Sequence, residues 1–203
     1  MSFGTGVSHI NVNRDRVDPK TNRWWEGPNY EGVSDKTVAV VRLDTVAGQP
    51  IAVYYNYAVH AVITGTLDMI SGDIPGAASR YIEQSLGDEA VALFTSGAAG
   101  DQNPIYFNQT YELPPGGQGM DLNNPKVRLL MDQQKRINES LGQMLGEEVL
   151  HVLREGLGKS TGDTTLHGAQ VSFSCPARQR TDQGRAGYEG KYVDAGEVAL
   201  GLA

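Results

Sequence analysis

Three short stretches of this 203-residue chain hold side chains able to do chemistry, and each lies at the edge of an apolar run. "INVNR", at 10–14, contains Arg14. The second stretch follows the apolar run ending at Val59. There His60 opens "HAVITGTLDMISGDIPGAA", which contains Asp68 and Asp73 and passes through Pro75-Gly76 into a helical pattern. The third, "SGAAGDQNP" at 96–104, has Gly97 and Gly100 at a bend, then Asp101 and Asn103. In α/β sheets, polar groups gather beyond the carboxyl ends of strands, where loops converge and ligands sit. The three stretches are therefore candidates for one site.

Each residue has a chemical and a structural role open to it. A neutral imidazole is the usual protein donor to zinc where cysteines are lacking, so His60 is a metal-ligand candidate. Taken alone, a histidine at a strand end is more often a hydrogen-bonded packing residue than a metal ligand. No second histidine stands at a helical or hairpin spacing from it, and His9, His151 and His167 read as framework. The residues alone do not close a metal shell. Asp73, just before Ile74, is placed to cap the helix that follows, with catalysis or substrate contact as the alternative. Gly97 and Gly100 allow a turn whose N–H groups could receive an oxyanion. Ser96 is not in a Gly-x-Ser-x-Gly elbow, which disfavours a Ser96–His60–Asp101 triad. The small residues from Gly76 onward lack the Gly-Lys-Ser/Thr of a phosphate loop.

The elements that must position these groups are legible in outline. Residues 7–13 read as a short strand, and "RDRVDPKTNRWWEGPNYEGVSD" has no sustained period and predicts a long ordered loop. "KTVAVVRLD" and "PIAVYYNYAV" predict a hairpin-like strand pair, apolar enough for burial on both faces. "IPGAASRYIEQSLG" carries helix start and stop chemistry, and "EAVALFTSGAAG" predicts a buried strand running into a glycine loop. Residues 105–124 form a turn-rich excursion. From Pro125 to about Glu155, apolar positions recur at three- and four-residue spacing, predicting one long amphipathic helix whose stripe is core contact. "TTLHGAQVSFSC" then alternates like a strand, with Cys175 as a small filler, and a second polar excursion follows. The order predicts an α/β fold, a mixed sheet layered with helices and carrying long functional loops, in a single domain over 1–203.

Composition narrows the classes. A net charge of −7, with the 17 basic residues scattered, argues against a nucleic-acid partner. One cysteine excludes an internal disulfide, and no run approaches the length of a membrane span. The first residues lack the build of a signal peptide. "SFGTGVSHINVN" enters as if in mid-strand and "GEVALGLA" stops while an alternation is running, so the expectation is a fragment.

"VNRD", "NYAVHAVITGTLDMISGDIPGAA" and "LFTSGAAGDQNP", in that order and separation, resemble the N-terminal catalytic domain of neutral/alkaline non-lysosomal ceramidases and their bacterial relatives. The resemblance covers roughly residues 7–104 by motif and the rest by pattern. It implies hydrolysis of the amide of an N-acyl lipid, with zinc held by two histidines, a glutamate and a tyrosine. His60 matches the second histidine; the family's first lies upstream of this sequence, and its glutamate and tyrosine lie downstream. Arg14 matches an arginine at the family's active site. The family's "GDVSP" carries a serine proposed to take part in attack on the amide, and the matching position is Asn103. An amide cannot be that nucleophile, although it can orient water or donate to an oxyanion. The resemblance also implies a periplasmic or extracellular home.

Two functional expectations follow. The first is a zinc-dependent amidohydrolase of a small-molecule or lipid-like amide, of which this chain carries part of the site. Its metal ligand is His60, its catalytic groups are Arg14, Asp101 and Asn103, and its substrate contacts are Gly97, Gly100 and Asp73. The second is a non-catalytic binding module, in which the Trp24-Trp25 segment and its tyrosines stack on a sugar or lipid-like ligand.

Overall fold

A computed structural model describes residues 1–17, 19–20, 24–64, 70–107, 121, 123–163, 165, 167–180 and 192–200. The chain divides into two compact units, Met1–Asp15 with Gly27–Gly162, and Arg16–Glu26 with Asp163–Ala203.

The first unit is built on a four-stranded sheet in the order β1-β4-β5-β6, from β1 (Ser2–Val7), β4 (Thr37–Asp44), β5 (Pro50–Tyr57) and β6 (Val91–Ser96). As the sequence predicts, β4 and β5 pair antiparallel. The crossover through α1 (Asp73–Ser85) makes β6 parallel to β5, so the sheet is mixed. α2 (Pro125–His151) fills most of the predicted long helix and ends in a π-helical turn, Val152–Gly156. Its start follows capping chemistry, with Pro125 in the first turn and Asn124 accepting from the Lys126 N–H at 2.9 Å.

One sheet face and the two helices share the core. Val40, Val53, Tyr55 and Tyr57 join Ile74, Ala78 and Ile82 of α1 and Leu141, Leu145 and Val149 of α2 in a single buried cluster. The helices touch backbone to backbone. A Cβ at Gly142 would strike that of Ala77 and come within 2.9 Å of the Ala78 nitrogen, so only glycine allows this approach.

The other face differs from the expectation of two-sided burial. In register across the four strands stand Phe3, Val41, Tyr54 and Leu93, and Phe3, Tyr54 and Leu93 are 57%, 42% and 50% exposed. Strand composition here reports preference for a pleated backbone and not coverage.

The expected single strand over 7–13 is two. Ser8–Ile10 turn the chain so that β1 joins β4, while β2 (Asn11–Val17) joins a second, three-stranded sheet of order β3-β2-β7, with β3 (Trp24–Asn29) and β7 (Gln102–Pro104). The segment predicted as one loop thus contains strand. Of the strand expected over 164–175, the described residues are strand from Phe173 onward, in β8 (Phe173–Arg180), which pairs antiparallel with β9 (Tyr192–Leu200) in the second unit. β8 and β9 take up both ends of the expected second polar excursion. Asp68 and most of 105–124 lie outside the described residues, as do the side chains of Trp24, Trp25 and Cys175. No helix among the described residues is long and apolar enough to cross a membrane.

Candidate functional site

The short ladder between β2 and β7 brings two of the three stretches together, setting Asn11 opposite Pro104, Val12 opposite Asn103 and Asn13 opposite Gln102. The Arg14 N–H extends it by donating to the Asp101 carbonyl at 2.8 Å. His60 joins through its backbone N–H, which donates to the Gln102 carbonyl at 3.0 Å, and its Nδ1 lies 3.1 Å from the same oxygen. A carbonyl can only accept, so Nδ1 carries a proton, which in the neutral ring leaves the lone pair on Nε2. Metal-ligating histidines are typically oriented in this way. The ring is half-buried.

Amide side chains hold the junction. Asn11, 1% exposed, donates through Nδ2 to the carbonyls of Ala58 (2.6 Å) and Asp35 (2.7 Å), tying β2 to the segment that leads to His60. Asn13 donates to Asp101 Oδ2 at 2.8 Å and Gln102 Nε2 to Asp101 Oδ1 at 2.7 Å. Both carboxylate oxygens of Asp101 therefore already accept hydrogen bonds within the framework. Arg14 and Asn103 line one shallow depression with Val12, Pro28 and Phe107. Both a guanidinium and an amide can donate, but Asn103 is only 2% exposed and the depression is too shallow to hold an oxygen between them without rearrangement.

Asp73 is buried, 5% exposed, and its carboxylate grips the loop before it. Oδ2 accepts from the N–H (2.7 Å) and hydroxyl (2.5 Å) of Thr64, and Oδ1 from the N–H groups of Ile63 (3.3 Å) and Ile74 (2.9 Å). Only the last belongs to the helix, whose N-cap position is Gly72. The expected capping role is thus a minor part of a loop clamp. Asp73 holds a left-handed φ of +49°, a strained conformation for a side-chain-bearing residue that the four hydrogen bonds sustain. The Gly97 N–H donates to the Tyr57 carbonyl at 3.0 Å, which removes it as an oxyanion donor. A Cβ at Gly100 would meet nothing within 4 Å, so its side stands open.

Sequence reasoning missed the amide frame of Asn11, Asn13 and Gln102, and also Gln134 and Asn138, which are 2% and 6% exposed on the apolar face of α2. Their signal was polarity at the i, i+4 spacing of a stripe otherwise apolar through Leu141 and Leu145. Burial also pushes the phenols of Tyr55 and Tyr57 up to about 12, and the Tyr57 hydroxyl donates to the Ser8 carbonyl at 2.8 Å beside the junction.

Among the described residues no three His, Cys, Asp or Glu side chains are grouped to hold a metal ion. His60 offers one suitable nitrogen, and these residues alone do not fit a zinc centre.

No family model and no curated protein matches the chain. Solved structures do match in fold. A ceramidase complexed with C2 aligns with a TM-score of 0.52 at 17% identity, over 85% of this chain and 24% of that one. The neutral ceramidase from Pseudomonas aeruginosa aligns with a TM-score of 0.48 at 14% identity, over 85% and 25%. The first likeness shows a ceramidase-like fold. The chain spans about a quarter of the length of these structures.

Proposed function

We propose that this chain forms part of the catalytic domain of a ceramidase-type amide hydrolase acting on an N-acyl, lipid-like substrate. The observation that carries the reading is the convergence of Arg14, His60 and the Asp101–Asn103 segment on one strand-end junction within a ceramidase-like fold. His60 is proposed as one zinc ligand through Nε2, the remaining donors lying outside the described residues. Zinc, when bound, supplies hydroxide near neutral pH and polarises the scissile carbonyl. The residues of this chain do the rest. Once the depression they line rearranges, Arg14 and the Asn103 amide donate to the substrate carbonyl oxygen as it gains charge, Asp101 fixes the β2–β7 register that sets their spacing, and Asp73 holds the loop after His60.

The second reading, a non-catalytic binding module, draws on a specific observation: Asp101, expected as a catalytic group, and Gly97, expected as a substrate contact, use their polar groups inside the fold. One experiment separates the two. The whole protein is assayed for zinc content and for fatty-acid release from a short-chain ceramide and a panel of N-acyl amides, beside His60→Ala and Arg14→Ala. The hydrolase reading expects stoichiometric zinc and turnover, both lost in His60→Ala, and turnover reduced about a hundredfold in Arg14→Ala. Absence of both zinc and turnover from the intact wild-type protein overturns it.

A further inference from the structure

The alternation of β2 sends Arg14 toward one depression and Asn11 and Asn13 toward another cavity of about 310 Å3, also lined by Asn29, Ser34 and Lys36, with His9 and Tyr30. No expectation from sequence or fold assigns this cavity a role, and it stands independently of the hydrolase reading.

Its amide walls are largely committed. Both Nδ2 protons of Asn11 go to the carbonyls of Asp35 and Ala58, and its Oδ1 accepts from Ser34 and Lys36. Asn13 donates to Asp101 and to the Val33 carbonyl and accepts from the Asp15 N–H. Lys36 is different. Its Nζ lies 2.5 Å from the Asn11 carbonyl oxygen and 2.8 Å from Asn11 Oδ1, which accounts for two of its three protons. Both acceptors are neutral oxygens, and among the described residues no carboxylate pairs with this ammonium. A half-buried cation without a counter-charge is costly, and burial lowers the Lys36 pKa.

We infer that this cavity binds a small oxyanion, the carboxylate or phosphate group of a small molecule, against the third proton of Lys36. His9, which is exposed at the same cavity, and the Tyr30 hydroxyl add donors from the rim. The volume admits such a group together with the body of a small molecule.

The competing role for Lys36 is that of a clamp on Asn11 alone. The test titrates the whole protein with inorganic phosphate and, separately, with acetate, against sodium chloride at matched ionic strength, following backbone amide shifts and the melting temperature. A bound anion predicts saturable shifts centred on His9 and residues 29–36, a melting temperature that rises with anion and not with chloride, and affinity retained in Lys36→Arg but reduced about tenfold or more in Lys36→Met. Saturation by phosphate alone assigns a phosphate-bearing ligand, and saturation by acetate as well assigns a carboxylate. Shifts that chloride reproduces, that lie elsewhere, or that persist in a folded Lys36→Met overturn the inference. If Lys36→Met does not fold, the location of the wild-type shifts decides the matter.

Discussion

Where α1 and α2 cover the sheet, Val40, Tyr55, Ile82 and Leu145 are each 0% exposed. Where β2 meets β7, Asn11, Asn13, Gln102 and Asn103 are almost as deeply buried, from 1% to 7% exposed, and directed side-chain hydrogen bonds run from Asn11, Asn13 and Gln102 to individual acceptors. The first region is held by non-directional apolar burial, which fixes how far apart layers sit and tolerates small shifts along them. The second is held by amides whose partners are individual carbonyls and carboxylate oxygens, so a displacement of an ångström breaks it. Groups meant to act on a ligand need the second kind of support, and His60 and Arg14 both hang from it.

The largest effect sharpens the first half of that contrast. Gly142→Val forces a branched side chain into the Ala77–Ala78 backbone and should cost about 3 kcal/mol or more, read as a lowered denaturant midpoint. If the midpoint is unchanged, the helices do not touch at that point. The next tests the second half. Asn11→Ala removes four side-chain hydrogen bonds and strands buried carbonyls, with an expected loss of about 2–3 kcal/mol. The loss should be accompanied by faster amide exchange at His60 and Gln102, while Leu145 stays protected. Uniform loss of protection would mean that the two regions are not distinct.

The third prediction uses pH. The phenols of Tyr55 and Tyr57 titrate at about 12 in the fold, above their ordinary value of 10.0. A raised value gives stability that is complete below pH 10 and is lost as pH climbs to about 12, because the unfolded chain releases those protons first. About 2 kcal/mol should be lost per tyrosine over that window. Urea denaturation at intervals from pH 9 to pH 12 should show the fall, and Tyr55→Phe with Tyr57→Phe should flatten it. An equal slope in the double variant would place the alkaline sensitivity elsewhere.

The legibility of these regions in sequence follows the same division. β4, β5, α1 and α2 announce themselves by β-branched runs and by a 3.6-residue period, because their burial repeats along the chain. β3 and the far end of β2 do not. Arg14, Asp15 and Arg16 carry no alternating apolar face, and the part of β2 nearest Asn11 is strand because β7 and the Arg14–Asp101 bond pair with it. The meeting of the three stretches was foreseen from strand-end placement alone. What each group does there was not, since the acceptors of Asp101, the N–H of Gly97 and the four hydrogen bonds of Asp73 depend on tertiary register. That register is set by residues far away in the chain. Asparagine and glutamine read as loop composition, so the frame that carries the junction was the part least visible.

The tautomer of His60 tests the junction most directly. Long-range proton–nitrogen correlation spectra of the intact protein, recorded at a pH where the imidazole is neutral, distinguish a protonated ring nitrogen from a bare one. The geometry at the Gln102 carbonyl predicts the proton on Nδ1 and a lone pair on Nε2. A proton resident on Nε2, or a ring averaging between the two forms, would contradict the arrangement on which the proposed metal-binding role of His60 depends.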